Sequence, residues 1–342
     1  MNTFLQISAV RRLNAFRQVD EAIGLQAVSV EKDFWVCWTL RELFLLPGVG
    51  EHLTFKGGTS LSKAWKLIER FSEDIDLVVD KETLGFGGDA APDKAASNKQ
   101  RKARLESLMQ ACQAWVQGTL QPALAARIER ALGFEGWRLE VDPDMSDGQC
   151  LLFHYPSVFT PGASGYVRPV VKIELGARSD DWPNETRSIQ PYVIEQFPAL
   201  DPDSTCSVRV IAVERTFWEK ACLLHEETFR PPDKPRKSRM ARHYYDLWCL
   251  LRAGIGVKAL AQPELFKRVA EHREIFFRLS WVDYSTHRPG TFRLVPPRNH
   301  LSDWKADHQA MLGPMFFGET PDFDDLIASV AEFEKAFNER PH

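Results

Sequence analysis

Two aspartates one residue apart, Asp74 and Asp76, are the residues of this chain best placed to do chemistry. They stand in Phe71-Ser-Glu-Asp-Ile-Asp-Leu-Val-Val79, where they alternate with Ile75, Leu77 and Val79. Residues i and i+2 of a strand share a face, so the carboxylates point one way and the aliphatic side chains the other. Paired carboxylates repel, and a divalent cation relieves that repulsion. Mg²⁺ typically takes one or two carboxylates and completes its shell with substrate phosphates. An isolated Asp-x-Asp is more often the solvent-facing edge of a strand. Here Lys56-Gly-Gly-Thr-Ser-Leu-Ser-Lys63 precedes it. Glycines let a backbone approach a phosphate closely, and amides at a helix start favour anions. A glycine turn, a helix and a strand bearing two carboxylates form a unit suited to a nucleoside triphosphate and its metal.

Other residue types extend the candidate site. Val170-Val-Lys-Ile-Glu-Leu175 reads as a strand with Lys172 and Glu174 on one face. Glu174 is a candidate third carboxylate, although the same pattern also suits an exposed ion pair. Lys220 falls on an apolar helical stripe with Val213, Phe217 and Leu224. A buried ammonium needs an anion, for which a triphosphate is one candidate. Glu214 reads as a first-turn acid that complements the helix dipole. Asp246, early in a further helix, is either an N-terminal charge or a group positioning Lys220 or a substrate hydroxyl. Arg230, Lys234, Arg236, Lys237, Arg239 and Arg242 crowd a Pro-rich segment with a single acid, Asp233. Such a segment is either a solvated loop or a surface for an RNA backbone.

The elements that must position these groups follow from periodicity. Residues 7–45 read as helical, with a second apolar segment over 34–46 closed by Pro47-Gly48. A short strand over 52–55, a helix over 60–69 and a strand over 74–79 come next. Residues 80–98 have loop composition. A long helix spans 99–132, with Gly118 or Pro122 as its breaking points. Strands are expected over 137–141, 150–154, 167–175 and 208–213, then helices over 213–227 and 243–252 and a mainly helical remainder. The fold class is therefore α/β (α+β): a mixed sheet, N-terminal helices and a helical C-terminal part. The expected domains are 1–212 and 213–342.

Composition narrows the function classes. The 342 residues are 44% hydrophobic, enough for a substantial core. A formal charge of −4 gives no global attraction to nucleic acid. The six cysteines have no C-x-x-C pairing, which disfavours structural zinc and suits buried thiols of a reducing compartment. The apolar run around 34–40 is far too short to span a bilayer, and no signal-peptide pattern opens the chain. No membrane role and a cytoplasmic location are expected.

Gly57-Gly-Thr-Ser-Leu-Ser-Lys63 followed by Arg70-Phe-Ser-Glu-Asp-Ile-Asp76 closely resembles the AbiEii/MenT-type nucleotidyltransferase toxins of the polymerase-β-like nucleotidyltransferase superfamily. The resemblance extends to Lys172-Ile-Glu174, Glu214-x5-Lys220 and Asp246, so it covers roughly residues 30–250. It implies a polymerase-β-like core and transfer of a nucleoside monophosphate from an NTP, with pyrophosphate released. It also implies Mg²⁺, or Mn²⁺ in its place, on Asp74 and Asp76. Gly57, Gly58, Thr59, Ser60, Lys63 and Ser72 become nucleotide contacts, and Lys220 and Asp246 essential positions. It further implies a toxin of a toxin–antitoxin or phage-defence pair, with the 3′ end of tRNA as acceptor and a winged-helix antitoxin as partner. Two alternatives remain: nucleotidylation of a protein or small molecule, and a nucleotide-binding interaction module that no longer turns over.

Overall fold

The computed structural model describes residues 1–160, 167–202, 204–313 and 315–340. The chain forms two compact units, Met1–Trp65 with Phe71–Ile211 and Lys66–Arg70 with Ala212–His342.

The first unit is built on a seven-stranded sheet. Its strands are β1 (Leu53–Lys56), β2 (Ile75–Val79), β3 (Arg138–Val141), β4 (Cys150–His154), β5 (Val170–Gly176), β6 (Asn184–Ile189) and β7 (Cys206–Ile211). They lie in the order β3-β4-β5-β2-β1-β7-β6. β1 pairs parallel with β7 and β2 parallel with β5, and the other neighbours are antiparallel, so the sheet is mixed as expected. Alternation sets its inner face: Val171, Ile173 and Leu175 of β5 are buried, with Ile75, Leu77 and Val79 of β2. Helix Ala27–Phe44 packs against β5 and β7 and is buried on almost every side. Its Trp35 and Trp38 meet Phe153 of β4, and Trp35 stacks on Tyr155.

Two details differ from the sequence reading, and the break of the long helix at Gly118 agrees with it. The helix expected over 60–69 is Gly57–Lys63, so the glycine turn is already helical. The long helix breaks as a π-turn at Val116–Leu120, which contains Gly118, between Asn98–Trp115 and Gln121–Leu132. Pro122 sits in the first turn of that last helix, where its missing N–H costs nothing. Strand β6 was not anticipated: Asn-Glu-Thr-Arg-Ser-Ile exposes five of its six residues and pairs only with β7, at the sheet edge.

The second unit is helical among its described residues. Helices Val213–Glu227, Arg242–Arg252, Pro263–Phe276 and Phe323–Asn338 surround an aromatic core. Phe217, Trp218, Phe266, Phe292, Phe333 and Phe337 meet there edge to face or tilted. No helix among the described residues is long and apolar enough to cross a membrane.

Candidate functional site

Register places the polar groups of the first unit side by side. Asp76 of β2 lies directly opposite Lys56 of β1 on one flank and Glu174 of β5 on the other. Paired residues on adjacent strands share a face. Ile75 pairs with Ile173, so Asp74, one residue before β2, comes level with Lys172. The expected grouping of Asp74, Asp76, Lys172 and Glu174 on one side of the sheet therefore follows from the pairing.

Asp76 is held against the glycine turn. Gly57 has φ +80°, a conformation open to glycine, and a Cβ added there would lie 2.0 Å from Asp76 Oδ2. The Asp76 carboxylate thus occupies space that any other residue at position 57 would claim. Asp74 is accessible to solvent yet crowded by protein. Partial burial pushes its pKa up, followed by the negative charges of Glu73 and Glu174, while Lys32 and Lys172 oppose the rise.

The turn after Gly57 is bonded inward. The Thr59 hydroxyl donates to the Asp74 carbonyl at 2.5 Å and lies 2.9 Å from Ser72 Oγ. The Ser60 hydroxyl donates to the Gly57 carbonyl at 2.8 Å. Thr59 and Ser60 are buried, whereas Gly57, Gly58 and Ser72 are partly accessible. Lys63 is also buried: its Nζ lies 2.8 Å from Asp33 Oδ1 and 3.4 Å from the centroid of the Tyr192 ring. Burial alone would depress the Lys63 pKa, but Asp33 holds the ammonium charged well above its ordinary value. Lys172 Nζ engages Glu174 at 2.7 Å, and its pKa is pushed up to about 12, since this carboxylate outweighs partial burial.

The donor set fits a hard divalent cation. Asp74 and Asp76 supply oxygen ligands from adjacent positions on one face, beside a glycine backbone. Among the described residues no three His, Cys, Asp or Glu side chains form a ready-made metal cage. Glu174, the candidate third acid, is instead engaged by Lys172. A two-carboxylate site that leaves the remaining positions to phosphate and water is the usual Mg²⁺ arrangement.

In the second unit Lys220 and Asp246 come together with an unforeseen partner, Arg70. Arg70 grips Asp246 with two hydrogen bonds, Nε to Oδ1 at 2.6 Å and Nη2 to Oδ2 at 2.8 Å. Lys220 Nζ lies 2.7 Å from Asp246 Oδ2. All three are buried. Burial would raise the Asp246 pKa, but Arg70 and Lys220 overturn this and hold it well below the carboxylate range. Burial, together with the repulsion of Arg70, pulls the Lys220 pKa down against the attraction of Asp246. The anion that Lys220 requires is thus Asp246, and the cluster carries one positive charge in excess.

The basic segment is partly committed. Arg230 and Arg236 both pair with Glu227, and Arg236 stacks over Trp304 at 3.9 Å. Lys234 lies 4.2 Å from the centroid of the Trp281 ring. The Arg239 backbone N–H donates to Asp307, and Arg242 opens a helix. Arg230, Lys234, Arg236 and Lys237 line a cavity of about 580 Å³, and Lys237 is exposed.

Sequence reasoning missed Lys32, Asp33, Glu73 and the role of Arg70. A signal was present: Glu31-Lys32-Asp33 puts three consecutive charges at the head of a strongly apolar helical stretch. Buried charges require partners, and each of these has one.

A mixed sheet that carries two carboxylates on one face beside a glycine turn is an arrangement suited to a nucleotide and its metal. The family model of the nucleotidyl transferase AbiEii toxins of type IV toxin–antitoxin systems matches residues 38–329, and the chain belongs to this family. It is a nucleotidyltransferase of the toxin class. Among solved structures it is similar to MenT4, a nucleotidyltransferase toxin of Mycobacterium tuberculosis H37Rv, at 16% identity over 97% of this chain and 98% of that one, with a TM-score of 0.43. No curated protein matches the sequence.

Proposed function

We propose that this toxin transfers a nucleoside monophosphate from an NTP to the 3′ end of tRNA, with Asp74 and Asp76 holding Mg²⁺ or Mn²⁺. The observation that carries the reading is the accessible pair of carboxylates in register on one face, with Asp76 packed against Gly57. Bound there, the metal would supply a Lewis acid that neutralises phosphate charge as the transferred group moves between oxygens. Gly57 and Gly58 would let the backbone approach the triphosphate. Thr59 and Ser72 tie the turn to the Asp74 backbone, so the phosphate-contacting segment and the metal-binding segment are fixed together. Lys63 would support the turn from within. Lys172 would restrain Glu174, leaving two carboxylates for the metal. Asp246 would keep Lys220 oriented and charged within its own unit. The accessible cations of 230–242 would meet an RNA backbone. Within the toxin–antitoxin family a cognate antitoxin is the expected protein partner, and a winged-helix protein is the form we propose.

The test is Asp74→Ala combined with Asp76→Ala. Growth inhibition and incorporation of labelled nucleotide into total tRNA should both vanish while the circular dichroism spectrum and melting temperature persist. Retained incorporation in a folded double variant refutes the mechanism. Labelling of protein in a whole lysate, with none in tRNA, would replace the acceptor and leave the carboxylate chemistry standing.

A further inference from the structure

The helix beneath the sheet carries a feature that the catalytic reading does not use. Within Ala27–Phe44, Glu31, Lys32 and Asp33 are 2%, 5% and 6% exposed, in the middle of the core. Each reaches a different segment. Glu31 accepts from the Ser157 hydroxyl at 2.5 Å and the Val158 N–H at 2.7 Å. Lys32 Nζ lies 2.6 Å from Glu73 Oε2, on the residue before Asp74. Asp33 Oδ1 lies 2.8 Å from Lys63 Nζ at the end of the glycine helix, and its Oδ2 accepts from the Tyr192 N–H at 2.7 Å.

Buried ion pairs are poor sources of stability, because desolvation offsets the attraction, and an apolar triplet would serve the core at least as well. What such pairs supply is geometry. Two of these three charges end on the two segments that carry Gly57 and Asp74. Lys63 closes a seven-residue helix whose other end is Gly57, in contact with the Asp76 carboxylate. A shift of that helix moves Gly57 against Asp76. A shift of Glu73 moves Asp74.

We propose that Lys32 and Asp33 are positioning residues for nucleotidyl transfer: one helix sets the spacing of the glycine turn and the Asp74 segment through Lys63 and Glu73. Neither residue touches the nucleotide. This assignment rests on the carboxylate reading above and deepens it. It also gives Lys63 a supporting role in place of a phosphate contact.

The experiment measures kcat and KM for each labelled ribonucleoside triphosphate with total tRNA as acceptor, alongside thermal melts. In folded Asp33→Asn, kcat should fall about 100-fold, the scale of a displacement near 1 Å at reacting groups. KM should change little, and Asp33→Glu should recover part of the loss. Wild-type kcat in folded Asp33→Asn overturns the proposal. A raised KM with unchanged kcat also overturns it, since the group would then act in nucleotide binding. Should Asp33→Asn fail to fold, Lys32→Gln decides, because its partner Glu73 is partly exposed. There kcat should fall and Lys32→Arg should restore it, whereas wild-type kcat, or loss of fold in both variants, overturns the assignment. The Asp74→Ala, Asp76→Ala double variant runs in parallel. If it remains active, the carboxylate reading fails; if it is dead while Asp33→Asn is fully active, only the positioning role fails.

Discussion

Gly57→Ala should disable the enzyme through a single methyl group. The added Cβ would lie 2.0 Å from Asp76 Oδ2 and 2.8 Å from its Cγ. An ordinary carbon–oxygen approach is roughly 3.3 Å, so the carboxylate must move by about 1 Å or more. Holding alanine at φ +80° costs about 1–2 kcal/mol, and forcing Asp76 off its rotamer about 0.5–1.5 kcal/mol more. Together they reduce stability by about 1.5–3.5 kcal/mol. The kinetic loss should be about 100-fold if the displaced oxygen is a metal ligand, which corresponds to about 2.7 kcal/mol in the barrier. Gly24→Ala is the control: its φ is +72°, and nothing lies within 4 Å of the added Cβ. That variant should show the conformational cost alone and keep full activity. Urea unfolding and initial rates of nucleotide incorporation separate the two effects. In an Asp76→Ala background the tightest approach left is 3.1 Å, to Cβ, so the stability cost of Gly57→Ala should shrink toward that of Gly24→Ala. Near-wild-type turnover in Gly57→Ala would refute the placement of Asp76 at the reacting phosphate.

In the buried charge cluster, Asp246→Asn removes the carboxylate shared by Arg70 and Lys220 and should cost about 3–5 kcal/mol. Lys220→Met keeps Arg70 and Asp246 paired one to one, so it should unfold at nearly the wild-type urea concentration while losing activity; the reverse order of stabilities would refute the charge-balance argument. Burial, and next the neighbouring His287, push the His225 pKa down to about 3, while an unfolded histidine takes up its proton near 6.5. Its contribution is present above about pH 6.5 and fades as pH falls toward 3, by roughly 3 kcal/mol at most near pH 4. His225→Gln should flatten the fall in stability between pH 7 and pH 4, and identical slopes would refute this. Lys234→Ala with Lys237→Ala should lower the dependence of log K on log salt for tRNA binding by about one to two, as lost phosphate contacts require. An unchanged slope would remove the loop from the RNA surface.

Much of the scaffold was legible because its elements are patterned. Strand β4 and the helix Val213–Glu227 lie where alternation and helical spacing put them. The mixed sheet and helical C-terminal part follow from the order of those elements. Strand β6 was illegible because an edge strand with polar residues on both faces carries no period-two signal. The glycine turn became the first turn of a helix, and the hydroxyls of Thr59 and Ser60 turned inward, because their acceptors lie on the Asp74 and Gly57 carbonyls. Local sequence names the residue types and leaves such partners open. Lys63 illustrates the same gap: a lysine after a glycine-rich turn reads as a phosphate ligand until Asp33, thirty positions earlier, is found beneath it.

The charges gathered around the two aspartates give a physical reason for a dication at the proposed site. Among the described residues, Glu73, Asp74, Asp76 and Glu174 supply carboxylates against the ammoniums of Lys32, Lys56 and Lys172, and Asp142 lies a further 3.9 Å from Lys172 Nζ, so acids outnumber cations here. A triphosphate brought to this face meets net repulsion at close range, where partial exclusion of water strengthens the interaction. The lysines cannot cancel it. Lys32 is drawn to Glu73, Lys172 to Glu174, and Lys56 donates to Ser179 Oγ at 3.0 Å. A dication held by the two aspartates, as proposed, would reverse the sign, so that the acids would favour nucleotide only when metal is bound. Nucleotide affinity in this unit should therefore depend on metal more steeply than on any single lysine. Replacing Asp74 and Asp76 together by asparagine should weaken metal-dependent nucleotide binding while easing the binding that remains in EDTA. If metal-free affinity instead falls alongside the metal-dependent part, the repulsion argument is wrong.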